Sequence, residues 1–235
     1  SGASMDQALR TITAAWARIA AVPGTLGTRI QLVAGDYPES HFPIYWADKQ
    51  GSLDAPILIQ SADGPGMARL HGFLNLYHVS YVYLIDLLID NAGDVLHCER
   101  CDHLLIRRST LTGGDRQAHE TIKINQSQYI YIEDSNIGQA YENAIDLVAV
   151  HYGHIVRNQI HHGDYWCIYL KGGSAYFSIE GNDIHHCGTG GFSAGQGTGF
   201  EYMVSPWLHY EAYALRIVNN LIHETAGAGL GVNGG

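Results

Sequence analysis

The chain has 235 residues, a formal net charge of -10 with histidines neutral, 28 glycines and 15% charged residues. That length suits one domain (1–235) with a sizeable core, and the negative balance argues against nucleic acid or an anionic membrane surface as partner. Six prolines without a low-complexity run argue against disorder, and no apolar stretch is long enough to span a bilayer.

Residues 5–20 read as an amphipathic helix, because Ala8, Ile12, Trp16 and Ile19 recur near helical spacing and Asp6 suits the helix dipole. Pro23 and Gly24 end it. Residues 28–37 and 56–60 are expected strands, with a longer excursion between them. Residues 67–71 and 79–89 build the next coil, where Leu84, Leu87 and Ile89 offer apolar faces. From Val95 the chain becomes regular.

That regularity is a repeat. Ile122, Ile145 and Ile168 are each 23 apart, and Phe192 follows 24 later. A second column holds Ile132, Ile155, Ile179 and Ile217, and a third holds Leu111, Ile137, Ile160, Ile184 and Ile222. The step from third to first column is 8 at 137–145, 160–168, 184–192 and 222–230. Three short β runs per repeat, with no helical period, define the coil of a parallel β-helix. Two residues before the third column stand Ser109, Ser135, Asn158, Asn182 and Asn220, which stacking would place about 4.8 Å apart as a hydrogen-bonded ladder. The fold class is therefore all-β, a right-handed parallel β-helix (solenoid) over 28–235, and residues 5–20 are expected to cap its open apolar end.

The N-x-I-H turns at 158–161 and 220–223, the related Asn182-Asp183-Ile184-His185, the run from Ile30 to Tyr37, and Leu170-Lys171-Gly172-Gly173 carry a family likeness. In these the chain resembles the right-handed parallel β-helix proteins of the pectate-lyase-like superfamily, from about Gly27 onward. The superfamily holds polysaccharide lyases, epimerases, hydrolases and non-catalytic adhesins, so the fold alone does not choose among them. The resemblance implies a polysaccharide substrate, a groove on the first sheet, and a secreted or periplasmic location.

Alternation along the first-column strands puts Lys123, Asp146, Tyr169, Ser193 and Gly231 on the outer face. Asn125, Val148, Lys171, Gly195 and Asn233 lie one position pair further along. A lyase of uronic-acid glycans must neutralise the substrate carboxylate, remove the adjacent C–H proton and protonate the leaving oxygen. Lys171 is the expected base, with Gly172 and Gly173 leaving its surroundings open. Lys123 is the carboxylate partner, and Tyr169 or His209 the acid. Asp146 with Glu142 can offer hard oxygen ligands to calcium (Ca2+). Taken alone, Lys123 and Asp146 also read as an ordinary cross-strand ion pair. A hydrolase would instead pair Asp146 with Glu201 or Glu211. A binding module would use the aromatic residues without acid–base groups.

Residues 197–213 interrupt the repeat between a first-column strand and its second-column partner. They carry Phe200, Tyr202, Trp207, Tyr210 and Tyr213, either to stack on sugar rings or to fold over a small core of their own. Glu201, Tyr202, Trp207, Tyr210 and Asn125 are the expected substrate contacts. His97 is placed in the inward column with Ile124, Leu147 and Leu170, as a buried hydrogen-bonded histidine rather than a catalytic one. Cys98 and Cys101 have metal or redox spacing but no second such pair, so buried or turn cysteines are the plainer reading and a disulfide stays open for them and for Cys167 and Cys187. His161, His185 and His223 form one column, with His162, His186 and Glu224 in the next; they either bind a transition metal or pack ring on ring. Asn125-Gln126-Ser127 matches a glycosylation sequon by pattern only. The chain stops in a glycine-rich stretch as a new coil begins, so further coils or a partner chain are expected over that end.

Overall fold

A computed structural model describes residues 2–113, 119–203 and 209–233. The described residues form three parallel sheets of eight strands each, in which every third strand of the chain is a neighbour. This is the all-β, right-handed parallel β-helix.

The columns read from the sequence are the observed registers. Ile122, Ile145, Ile168, Phe192 and Leu230 are successive partners in the first sheet. Ile132, Ile155, Ile179 and Ile217 do the same in the second, and Leu111, Ile137, Ile160, Ile184 and Ile222 in the third. Stacked coils thus bury one continuous apolar column, running from the N-terminal Trp46 to Phe192.

The ladder at the second-to-third turn is also present. The backbone N–H of Ser109 donates to Ser135 Oγ, that of Ser135 to Asn158 Oδ1, that of Asn158 to Asn182 Oδ1 and that of Asn182 to Asn220 Oδ1, at 2.9–3.1 Å. Each side chain therefore satisfies an amide that the turn removes from the sheets. One residue earlier, Asp86, Arg108, Asp134, Arg157 and Asn219 all hold positive φ. Arg108 forks onto Asp86 at 2.7 and 2.9 Å, and Arg157 onto Asp134 at 2.6 and 3.0 Å, so charge alternates up this turn.

Three expectations are corrected. The N-terminal helix is shorter than residues 5–20: a 3-10 turn at Met5–Gln7 and an α-helix at Ile12–Trp16 are separated by Ala8 in extended backbone, and Thr11 caps the second through its side chain. Ala8 is exposed, whereas Ile12, Trp16 and Ile19 are buried and Trp16 packs edge-on against Trp46 with centroids 5.3 Å apart. The excursion after Tyr37 supplies a short first-sheet strand, Trp46–Ala47. His97 is not inward: it pairs in register with Lys123, while Cys98 takes the inward place beside Ile124. The question left open at the cysteines is settled too, since Cys98–Cys101 and Cys167–Cys187 are disulfides.

Candidate functional site

The outer face of the first sheet brings the site together. On Glu120–Asn125, Asn143–Val148 and Trp166–Lys171, register places Lys123, Asp146 and Tyr169 in one row and Asn125, Val148 and Lys171 in the next. Asp146 is fully buried, and both amines converge on it. Lys123 Nζ pairs with Asp146 Oδ2, and Lys171 Nζ lies 3.3 Å from the same oxygen. Lys123 is also 3.3 Å from Glu120 Oε1. Lys171 Nζ stands 4.1 Å from the Tyr169 ring centroid, a cation–π contact that holds the amine over the face.

The electrostatics follow from burial. Desolvation raises the Glu120 carboxyl to about 7 against the pull of Lys123, and the negative charge of Asp146 adds to the rise. Burial works to lower Lys123, but Asp146 and Glu120 outweigh it, so the amine stays charged. Burial, then Asp146 and Glu211, raise the Tyr169 phenol. The two acids and two amines are formally balanced, yet the amines keep 24% and 20% of their side-chain surface exposed while Asp146 keeps none. Of these four side chains the amines are thus the ones most shown to solvent, with Glu99 also lining the groove beside them.

The inserted segment roofs this face. Glu211 is buried and accepts from the Gly172 amide at 2.9 Å and from the Thr198 amide, tying the insertion to the turn after Lys171. Gly172 has φ +64, and a Cβ there would meet Val148 Cγ1 at 2.8 Å. The glycine thus serves a tight turn and close packing. This corrects the expectation that it opens the surroundings of Lys171. Trp166 Nε1–H donates to Gln196 Oε1 at 3.2 Å. Between insertion and sheet lies a groove of about 530 Å³ lined by Lys123, Asn125, Lys171, Gln196, Thr198 and Tyr202, among others. A larger groove of about 690 Å³ adjoins it at Gln126 and carries His78, Arg100, Asp102 and His103, but neither lysine. The chemistry points to the smaller one.

Of the expected site residues, Lys123, Lys171, Asn125 and Tyr202 meet in this groove, and Asp146 and Tyr169 lie beneath it. Tyr169 donates its hydroxyl to the Gln196 carbonyl at 3.4 Å. Phe200, Tyr202 and Tyr210 are exposed, so these three do not form a private core for the insertion. His209 and Tyr210 are exposed and do not line the groove, and the Glu201 carboxylate folds back against Gly199. Trp207 lies outside the described residues. Glu142 sits in the turn before Asn143, its carbonyl accepting from the Tyr165 amide at 2.8 Å.

The residues do not fit calcium (Ca2+) at Asp146 and Glu142. Such an ion takes six to eight oxygen ligands. Asp146 Oδ2 already faces the amines of Lys123 and Lys171, and Oδ1 is buried without a hydrogen-bond partner. The acid brought to this cluster is Glu120 rather than Glu142. The hydrolase pair fares no better, because both Glu211 oxygens accept backbone amides.

Glu120 escaped the sequence reading because it stands three residues before Lys123, which strand alternation assigns to the opposite face; the end of the strand departs from that alternation, with Glu120, Thr121 and Ile122 all buried. His97 joins the outer row, with Nδ1 3.2 Å from Asn75 Oδ1 and Nε2 3.2 Å from Asn125 Nδ2. A stack of Tyr81, His103, Tyr129, Tyr152 and Tyr176 runs up the second sheet at centroid distances of 4.1–5.2 Å. Its signal was in the sequence, since Tyr129, Tyr152 and Tyr176 each stand three residues before the second column.

Fold and site together define a right-handed parallel β-helix with a lysine-lined groove on its first sheet. The chain belongs to the family described as the right handed beta helix region, whose model matches residues 94–235. No curated protein matches the chain. Among solved structures it is similar to the pectate lyase Pel9A, with a TM-score of 0.65 at 15% identity over 93% of this chain and 59% of that one. It is also similar to the Dettilon tailspike protein, with a TM-score of 0.47 at 13% identity over 90% of this chain and 39% of that one. A third likeness is to a mannuronic acid specific polysaccharide family 6 lyase from human gut microbiota, with a TM-score of 0.36 at 14% identity over 72% and 56%. At these identities the likeness is one of fold, and the chain spans little more than half of the pectate lyase.

Proposed function

We propose that this protein is a polysaccharide-active enzyme that cleaves a uronic-acid-containing glycan by β-elimination. The observation carrying the reading is the pair of partly exposed amines, Lys123 and Lys171, fixed on one buried carboxylate inside a groove. The shared fold with a pectate lyase is in keeping with it. Lys123 pairs with the substrate carboxylate and stabilises the negative charge that develops on proton loss. Lys171, acting as the neutral amine, takes the proton from the carbon beside that carboxylate and is left as an ammonium ion next to Asp146 Oδ2. The electron pair left behind forms the new double bond as the bond to the glycosidic oxygen breaks, and that oxygen receives a proton. Tyr169 is the assigned donor for this last step, since His209 does not line the groove. Asn125 and Tyr202 hold the sugar, hydrogen-bonding through the amide and stacking through the ring. The two disulfides agree with a secreted or periplasmic location.

The test is the ultraviolet absorbance of the unsaturated product, followed with a panel of uronate polysaccharides in the presence and absence of a chelator. The expected outcome is a rise that survives chelation and falls about 10²–10⁴-fold in Lys171→Ala. Tyr169→Phe should lose activity while His209→Ala keeps it, and the reverse result would remove Tyr169 as the acid. New reducing ends without the absorbance rise would replace elimination with hydrolysis, and tight binding with neither would make the groove a carbohydrate-binding site.

A further inference from the structure

The third sheet carries a histidine array that the groove chemistry leaves unused. His161, His185 and His223 stack at centroid distances of 5.2 Å, and His162 stacks on His186 at 4.8 Å. Within each coil the two columns face each other. His161 Nδ1 is 2.9 Å from His162 Nδ1, His185 Nδ1 is 2.7 Å from His186 Nδ1, and His223 Nδ1 is 3.2 Å from Glu224 Oε2. His186 Nδ1 is also 3.4 Å from Glu224 Oε2.

Oxygen acceptors stand behind several of these rings. His223 Nε2 is 2.9 Å from Asp183 Oδ1 and its Nδ1 is 3.2 Å from Glu224 Oε2, so a carboxylate stands against each ring nitrogen. His161 Nε2 is likewise 2.8 Å from Asn136 Oδ1. A carboxylate or amide oxygen behind one ring nitrogen is the arrangement that orients a metal-ligating imidazole and strengthens its other nitrogen as a donor. Ligand atoms of His185, His186 and Glu224 all lie within 4.8 Å of one another. A hydrogen bond joins the Nδ1 atoms of His185 and His186, and a bound cation would take the place of its proton between them.

The geometry points to a transition-metal site formed by His185, His186 and Glu224, with His223 beside it, for a divalent ion of the Cu²⁺ or Ni²⁺ class. The class follows from the bite. Metal–nitrogen bonds of about 2.0–2.1 Å spanning the 2.7 Å between His185 and His186 enclose about 80–85° at the metal, close to the cis angle of square-planar or octahedral geometry. A tetrahedral ion would need about 3.4 Å between the nitrogens. Two imidazoles and a carboxylate are also the borderline donors such ions favour over Ca²⁺ or Mg²⁺.

The experiment titrates Cu²⁺ and Ni²⁺ into the full chain free of any histidine tag, reading calorimetry and the electron paramagnetic resonance of bound Cu²⁺. The expected result is saturable binding of one equivalent with imidazole-nitrogen hyperfine structure. His186→Ala and Glu224→Ala should each weaken it at least about tenfold, and Asp183→Asn should weaken it through His223. His78→Ala, an exposed histidine on another face, should leave it unchanged. The side chains of His186 and Glu224 are 48% and 59% exposed, so these variants keep the fold, checked by circular dichroism. Absence of saturable binding, or binding unaltered in His186→Ala, overturns the proposal. Because the readout is metal alone, its result is independent of the reading of the groove.

Discussion

Asp146 concentrates the residue-scale physics of the groove. A fully buried carboxylate sits against two amines, and removing either one leaves it poorly compensated. Glu120, the fourth member, is held on the edge of neutrality. Its carboxyl titrates at about 7 when folded, because of burial first and Asp146 besides, against an ordinary value of 4.5. As pH rises through this window the unfolded chain gives up its proton before the folded one, so stability falls between about 4.5 and 7. In Glu120→Gln that decline should flatten, with the gap between variant and parent widest above pH 7 in urea unfolding. An identical pH profile for both proteins would remove Glu120 from the account.

The repeating coil shows what one element contributes and how a substitution would be felt. Asn182 is buried, accepts from the Asn158 amide and side chain, and donates to the Ile155 carbonyl at 2.8 Å. Asn182→Ala strands those groups where water cannot replace the asparagine, and should cost about 3 kcal/mol by denaturant unfolding. Asn182→Ser should recover part of the loss, because Ser109 and Ser135 already fill this turn position. There the hydroxyl of Ser135 accepts the Ser109 amide and donates to the Glu133 carbonyl at 2.7 Å. The ladder was legible in the sequence since it lies at a fixed offset from the apolar column. The aromatic stack of Tyr129, Tyr152 and Tyr176 obeys the same offset logic on a strand whose residues hold positive φ. A count based on plain alternation passes over it. His97 is a different case, because its strand alternates plainly and only the register, His97 against Lys123 rather than Ile124, decides its face. The N-terminal helix failed for another reason. Spacing alone cannot see that the Thr11 side chain caps the Ala14 amide and so starts the helix at Ile12, too late for Ala8 to join.

For the molecule as a whole, the solenoid has local stability terms summed along its axis, and the disulfides act on that sum. Cys167 and Cys187 are 20 residues apart in sequence, about one coil, with Cα atoms 5.5 Å apart. Replacing both with alanine should lower the unfolding free energy by about 3 kcal/mol, the loop-closure entropy of a chain segment of that size. Loss of Cys98–Cys101, which spans a separation of 3, should cost less. If the two losses prove equal, loop closure is not the mechanism. The same long-range order sets the groove, since Glu211 reaches back from the end of the insertion to the turn after Lys171.

By itself the sequence determined the coil length, the three apolar columns, the turn ladder and the row of Lys123, Asp146 and Tyr169. All of these follow from a period-two alternation repeated at nearly constant spacing, and that information is local. The tertiary structure alone decided that Asp146 is buried under both lysines, that Glu120 rather than Glu142 joins them, and that Cys167 meets Cys187. It also decided that Glu201 and His209 stand apart from the groove that Tyr202 enters. Those outcomes depend on irregular turns and on an insertion folding back across neighbouring coils, where the path of the chain is set by packing rather than by any repeating pattern.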